Sequence, residues 1–171
     1  ENVEYALLIS ICAGAWRYLI GDTIKFVSKA DSEIVITGRT KHFLSLCGEH
    51  LSVDNMNQAL LHVSNDMAFD LKEFTVLGVK HGSLFGHDWY VGTDTINVDE
   101  QQLKEKLDAT LKELNDDYKV ERIAALKDIS VKVLSNKVFI EFMERNGKVG
   151  GQNKFPRVLK GDKQKAWIDY L

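Results

Sequence analysis

Proline is nearly absent from this chain: Pro156 is the only one in 171 residues, so no Pro-rich linker divides it. Cysteine is almost as scarce. Cys12 and Cys47 form no CxxC pair and sit among apolar neighbours, where a thiol behaves as a small hydrophobe, which points to a reducing, cytoplasmic setting. No apolar run approaches the ~20 residues of a membrane span. The N-terminus lacks a basic leader and an initiating Met, so the chain is expected to begin inside a longer protein. With 22 Lys and Arg against 25 Asp and Glu, the net charge is −3, and there is no basic excess to recruit nucleic acid or an anionic membrane. His42, His50, His62, His81 and His87 make no HxxxH or HExxH set, and no Cys accompanies them at zinc-ligand spacing. They read as structural or surface histidines, with no metal site. A GxxxxGK[ST] phosphate loop and a GxSxG elbow are also missing, which sets aside P-loop NTPases and α/β-hydrolases.

What the chain does contain suits one domain, or one domain with a fragment attached. Apolar runs at Tyr5 to Ile11 and Thr23 to Val27 read as strands, the second following a Gly21-Asp22 turn, and Ile34 to Thr37 makes a third that runs into Gly38. Ser52 stands where a helix N-cap belongs. Met56, Ala59, Leu60 and Val63 then recur at the spacing of one buried helical face. Strands at Phe74 to Val79 and Trp89 to Gly92 flank HGSLFGHD, read as a loop. Asp99 with Gln102 forms a capping box ahead of a stripe of Leu103, Leu107, Leu111 and Leu114. Ile129 to Leu134 reads as a strand. The segment NKVFIEFMERNG, Asn136 to Gly147, fits two templates, since Val138, Ile140 and Phe142 alternate while Phe139, Phe142 and Met143 have helical spacing. A terminal helix from about Asp162 carries Trp167, Tyr170 and Leu171. This order predicts an α+β fold, a small mixed sheet with packed helices.

Three stretches carry candidate chemistry. In WRYLIGD, Asp22 directly after Gly21 projects two acceptor oxygens from a tight backbone, which the vicinal hydroxyls of a ribose need. In EIVITGRTKHFLSLCGEHLS, Gly38 offers a backbone pivot flanked by the cations Arg39 and Lys41. In GGQNKFPR, paired glycines permit close approach to a ligand, and Lys154 supplies a compact positive charge with Phe155 and Pro156 behind it.

The order and spacing of these stretches resemble the adenylate-forming superfamily, and within it the auxin-responsive acyl-acid amido synthetases, the Gretchen Hagen family. The resemblance implies that residues 1–37 are the C-terminal tail of a large N-terminal adenylation domain lying upstream, a short β fragment, and that residues 38–171 are the mobile C-terminal α+β domain. It implies an ATP-dependent ligase, with ATP and Mg2+, that adenylates a small carboxylic acid and passes the acyl group to an amino acid; the fragment alone is expected to be inactive. Asp22 would hold the adenosine ribose, Tyr18 and Arg39 would shape the adenylate site, Gly38 would be the hinge, and Lys154 would meet the reacting carboxylate and α-phosphate. Trp16, Leu19 and Asn153 depart from the residues usual in plant members. The family also has a helix where NKVFIEFMERNG stands, so a helix capped by Ser135 is expected there. Strands separated from a larger sheet leave edges open to pairing, including with a second copy in a homodimer. A reading of another class is a non-catalytic α+β interaction module whose leucine stripe and C-terminal aromatics form the partner surface.

Overall fold

A computed structural model of the chain describes residues 3–39, 43–148 and 154–171. The Gly150-Gly151-Gln152-Asn153 part of the lysine loop, Lys41 and His42 lie outside those residues. The chain forms two compact units, one of residues 1–43 with 52–54 and the other of 44–51 with 55–171.

The first unit is a three-stranded antiparallel sheet in the order β1 (Glu4–Ile9), β2 (Tyr18–Ser28), β3 (Glu33–Arg39). The Gly21-Asp22 turn expected from sequence is instead a bulge within β2. Ala6 pairs with Thr23 and Leu8 with Leu19, so three residues of β2 oppose one of β1, and Gly21 absorbs the excess at φ 89°. β2 returns into β3 through a turn in which the Ser28 hydroxyl donates to Asp31 Oδ2 at 2.7 Å. Among the described residues of this unit only Ile24 is buried, while Tyr5, Leu8, Leu19, Val27, Ile34, Val35 and Ile36 are exposed.

A short ladder of β4 (Phe43–Leu44) and β5 (Leu51–Ser52) precedes α1 (Val53–Asp66), whose buried residues include Met56, Ala59, Leu60 and Val63. The second unit is built on a four-stranded sheet in the order β8 (Leu126–Leu134), β7 (Leu84–Thr93), β6 (Leu71–His81), β9 (Val158–Leu159). β6 and β7 are antiparallel, and the outer pairs are parallel. The loop expected at HGSLFGHD is a hairpin with Gly82 and Ser83 at its tip, Gly82 having φ 66°. Its remaining residues belong to the strands.

Alternation along the central strands sends side chains into two cores. Phe74, Val76, Trp89 and Val91 pack with the α1 residues and with Leu103, Leu107 and Leu111 of α2 (Glu100–Leu114). Leu77 and Tyr90 pack on the opposite side with Phe139, Phe142 and Met143 of α4 (Asn136–Arg145) and Trp167 of α5 (Asp162–Tyr170). Asp99 caps α2 by accepting from the amides of Gln101 and Gln102, and Ser135 caps α4 by accepting from that of Lys137. Leu103, Leu107, Leu111 and Trp167 are therefore interior at 0% exposure, which removes most of the partner surface that the interaction-module reading placed on the stripe and the aromatics; Leu114, at 38%, stays exposed. An additional helix, α3 (Asp116–Ala124), begins at Asn115, whose side chain accepts from Tyr118 N at 2.7 Å.

Candidate functional site

The β2–β3 ladder gathers one group of candidate residues. Asp22 pairs with Arg39, and Thr23 with Gly38, so the acidic residue, the glycine and the cation fall on adjacent rungs. Asp22 is the last of the three bulge residues, directly after Gly21, and the Thr37 hydroxyl donates to Thr23 Oγ1 at 3.0 Å. Gly38 is a rung of β3; a Cβ there would lie 3.4 Å from Thr23 Oγ1, an ordinary contact. Tyr18 opens β2 opposite Ile9 and is exposed. Just before it Arg17 takes φ 49°, uncommon for a residue with a side chain, and its amide donates to Ser10 Oγ at 3.0 Å.

Lys154 belongs to the second unit, and the residues after it are firmly held. It is exposed. Phe155 is buried in an aromatic cluster, its ring 5.0 Å from Phe139 and 5.1 Å from Trp167, both edge-on. The Thr75 hydroxyl donates to the Pro156 carbonyl at 2.8 Å. Arg157 lies over the Phe74 ring at 4.3 Å, donates to the Phe74 carbonyl at 3.2 Å and pairs with Glu73. Val76 N donates to the Arg157 carbonyl at 2.9 Å, and β9 then continues along β6. A charged side chain is thus presented from the N-terminal end of a segment whose next five residues are fixed on the sheet.

One further cluster has no local mark in the sequence. Glu49 and His87 are both fully buried, with His87 Nε2 3.0 Å from Glu49 Oε1. Burial pushes the Glu49 carboxyl up, but hydrogen bonds from His87 and from the Cys47 and Leu46 amides outweigh it and hold the group at about 2. The Cys47 thiol goes the other way, raised to about 12 by burial and by Glu49. His50 pairs with Asp117 at 3.5 Å on the surface. Among the described residues no three His, Cys, Asp or Glu side chains are placed to hold a metal ion.

The sequence model of the GH3 family C-terminal domain matches residues 52–163. The chain belongs to the GH3 family. No curated protein matches it. Among solved structures, a GH3.15 acyl acid amido synthetase is similar over 98% of this chain at 19% identity and a TM-score of 0.78. The AtGH3.15 acyl acid amido synthetase in complex with 2,4-DB is similar over the same share at 19% identity and a TM-score of 0.75. This GH3 chain spans about a third of those two proteins, 34% and 32% of their lengths. The likeness is one of fold, and it extends over the β1–β3 unit that precedes the matched family domain.

Proposed function

We propose that this chain is the C-terminal portion of an ATP-dependent acid–amino acid ligase of the GH3 family. The observation that carries the reading is the presentation of Lys154. A GH3 C-terminal fold holds Phe155, Pro156 and Arg157 on its sheet and leaves the lysine exposed at their head. In the first half-reaction a carboxylate oxygen of a small acid attacks the α-phosphorus of ATP, and the bond to the β-phosphate bridging oxygen breaks to release pyrophosphate. Lys154 would offset the negative charge gathering between carboxylate and α-phosphate. In the second, an amino acid's amine attacks the acyl carbon, AMP leaves with the former carboxylate oxygen, and the nitrogen loses a proton. Mg2+ enters with the nucleotide as part of the substrate.

Asp22 would accept the ribose hydroxyls, with Tyr18 and Arg39 shaping the same adenylate site and Gly38 serving as hinge. Residues 1–37 would complete a large upstream domain of the same protein, and residues 38–171 would form the moving part. The apolar character of the first sheet supports that division, because Ile34, Val35, Ile36, Leu8 and Leu19 are exposed where a larger domain would cover them. No described helix is long and apolar enough to cross a membrane. We place the reaction in the cytoplasm, where the free thiols of Cys12 and Cys47 remain reduced.

The test uses the full-length parent. Acid-dependent exchange of labelled pyrophosphate into ATP is expected from the wild type. Asp22→Ala should remove two ribose contacts at ~1–2 kcal/mol each and weaken use of ATP roughly 30- to 1000-fold. Exchange that is absent from the wild type, or unaffected by the substitution, contradicts the reading.

A further inference from the structure

The Glu49–His87 pair has no part in the chemistry proposed above, yet it is a fully buried polar contact of the second unit, both side chains being at 0% exposure. Acidic side chains are rarely so enclosed unless they are fully satisfied. This one is: besides His87 Nε2, it accepts the amide of Leu46 at 2.9 Å and that of Cys47 at 3.0 Å, with the Cys47 thiol at 3.5 Å. The carboxylate therefore folds the segment Leu44–Leu51 onto itself and ties it to the middle of β7.

Two glycines make room for this arrangement. Gly48 turns the chain at φ 123°. Gly78, the rung opposite His87, leaves space for Leu46, since a Cβ there would come within 2.5 Å of Leu46 Cδ2. The same short stretch of β6 also holds the Lys154 side of the unit. The Gly78 carbonyl accepts from Gln164 Nε2 at 3.1 Å, and Val76 and Leu77 pair with Val158 and Leu159. The connector and the lysine segment are thus anchored within a few residues of one another.

We propose that Glu49 and His87 form a positioning clamp that makes Leu44–Leu51 a rigid part of the C-terminal body, so that a swing of this body pivots before Leu44 and carries Lys154 as one piece. The consequence for catalysis rests on the ligase reading; the clamp itself does not.

Hydrogen exchange measured amide by amide tests the clamp in this chain. Glu49→Gln is expected to speed exchange at Leu46 and Cys47 by about 10-fold or more, from the loss of charge-assisted hydrogen bonds, while Val76 and Val91 keep their wild-type rates. No acceleration, or equal acceleration at all four amides, overturns it. Should Glu49→Gln fail to fold, Leu46→Ala removes the side chain seated on Gly78, and the same contrast between Cys47 and the β6–β7 amides decides. In the full-length parent, Glu49→Gln should lower kcat for pyrophosphate exchange with KM for ATP unchanged, since the ribose residues belong to the other unit. An unchanged kcat, or a matching rise in KM, contradicts the positioning role. A wild-type parent without exchange refutes the ligase reading instead, and the amide comparison still decides the clamp.

Discussion

The Thr75 hydroxyl and the Pro156 carbonyl meet at 2.8 Å, with Thr75 at 0% exposure. This bond fixes the backbone two residues beyond Lys154 to the strand that carries both cores. Thr75→Val keeps the shape and leaves a carbonyl short of its donor, so we expect a loss of ~1–3 kcal/mol in urea unfolding. In the full-length parent, on the ligase reading, the same substitution should slow adenylate formation. A stability change below a few tenths of a kcal/mol would mean that the Pro156 carbonyl is held by other contacts.

The buried carboxylate gives a pH signature. Glu49 is held at about 2 when folded against an ordinary value of 4.5. Its folded value is the lower one, so its stabilising contribution is complete above about pH 4.5 and is lost as pH falls toward 2. Asp108 adds to the same trend: burial raises its carboxyl, but hydrogen bonds from Arg122, Lys112 and Tyr118 bring it below its usual value. Unfolding free energy measured from pH 6 down to pH 2.5 should fall more steeply for the wild type than for Glu49→Gln. Parallel curves would show that the pair does not favour the ionised carboxylate.

Much of the fold was legible because its signals were local. The stripe of Met56, Ala59, Leu60 and Val63 and the cap at Asp99 each lie within one element, and both appear as read. The ambiguous segment after Ser135 is a helix because Phe139, Phe142 and Met143, the residues at helical spacing, are the buried ones, while Ile140 is half exposed. Elements whose reasons are non-local were missed. α3 has one buried residue, Tyr118, and turns Val120 and Ile123 outward, so it shows no apolar stripe. β9 exists only because β6 offers an edge. Glu49 and His87 are separated by 38 positions, and nothing near either marks the other as a partner. Of the candidate site, Asp22 lies opposite Arg39 because β2 runs on through Gly21 and Asp22 and pairs with β3 there, where the sequence suggested only a turn.

The exposed sheet of the first unit should govern the behaviour of this chain in isolation. Ile36 is 69% exposed on β3 and pairs with Ile24. We expect the chain to self-associate, and Ile36→Lys to shift it toward monomer by placing a charge on the apolar face. Light scattering after size exclusion reads the outcome. A wild-type chain that is monomeric at high concentration would show that this sheet does not need a cover.

The most direct test of the central claim separates the two half-reactions in the full-length protein carrying Lys154→Ala. A lysine that stabilises charge only while the adenylate forms contributes ~3–4 kcal/mol to that transition state, or about 10²- to 10³-fold in rate. Adenylate formation should therefore fall by that factor, while a synthetic acyl-adenylate should still react with the amino acid at close to the wild-type rate. Equal slowing of both steps in a folded variant, or no slowing of the first, would contradict the role assigned to Lys154.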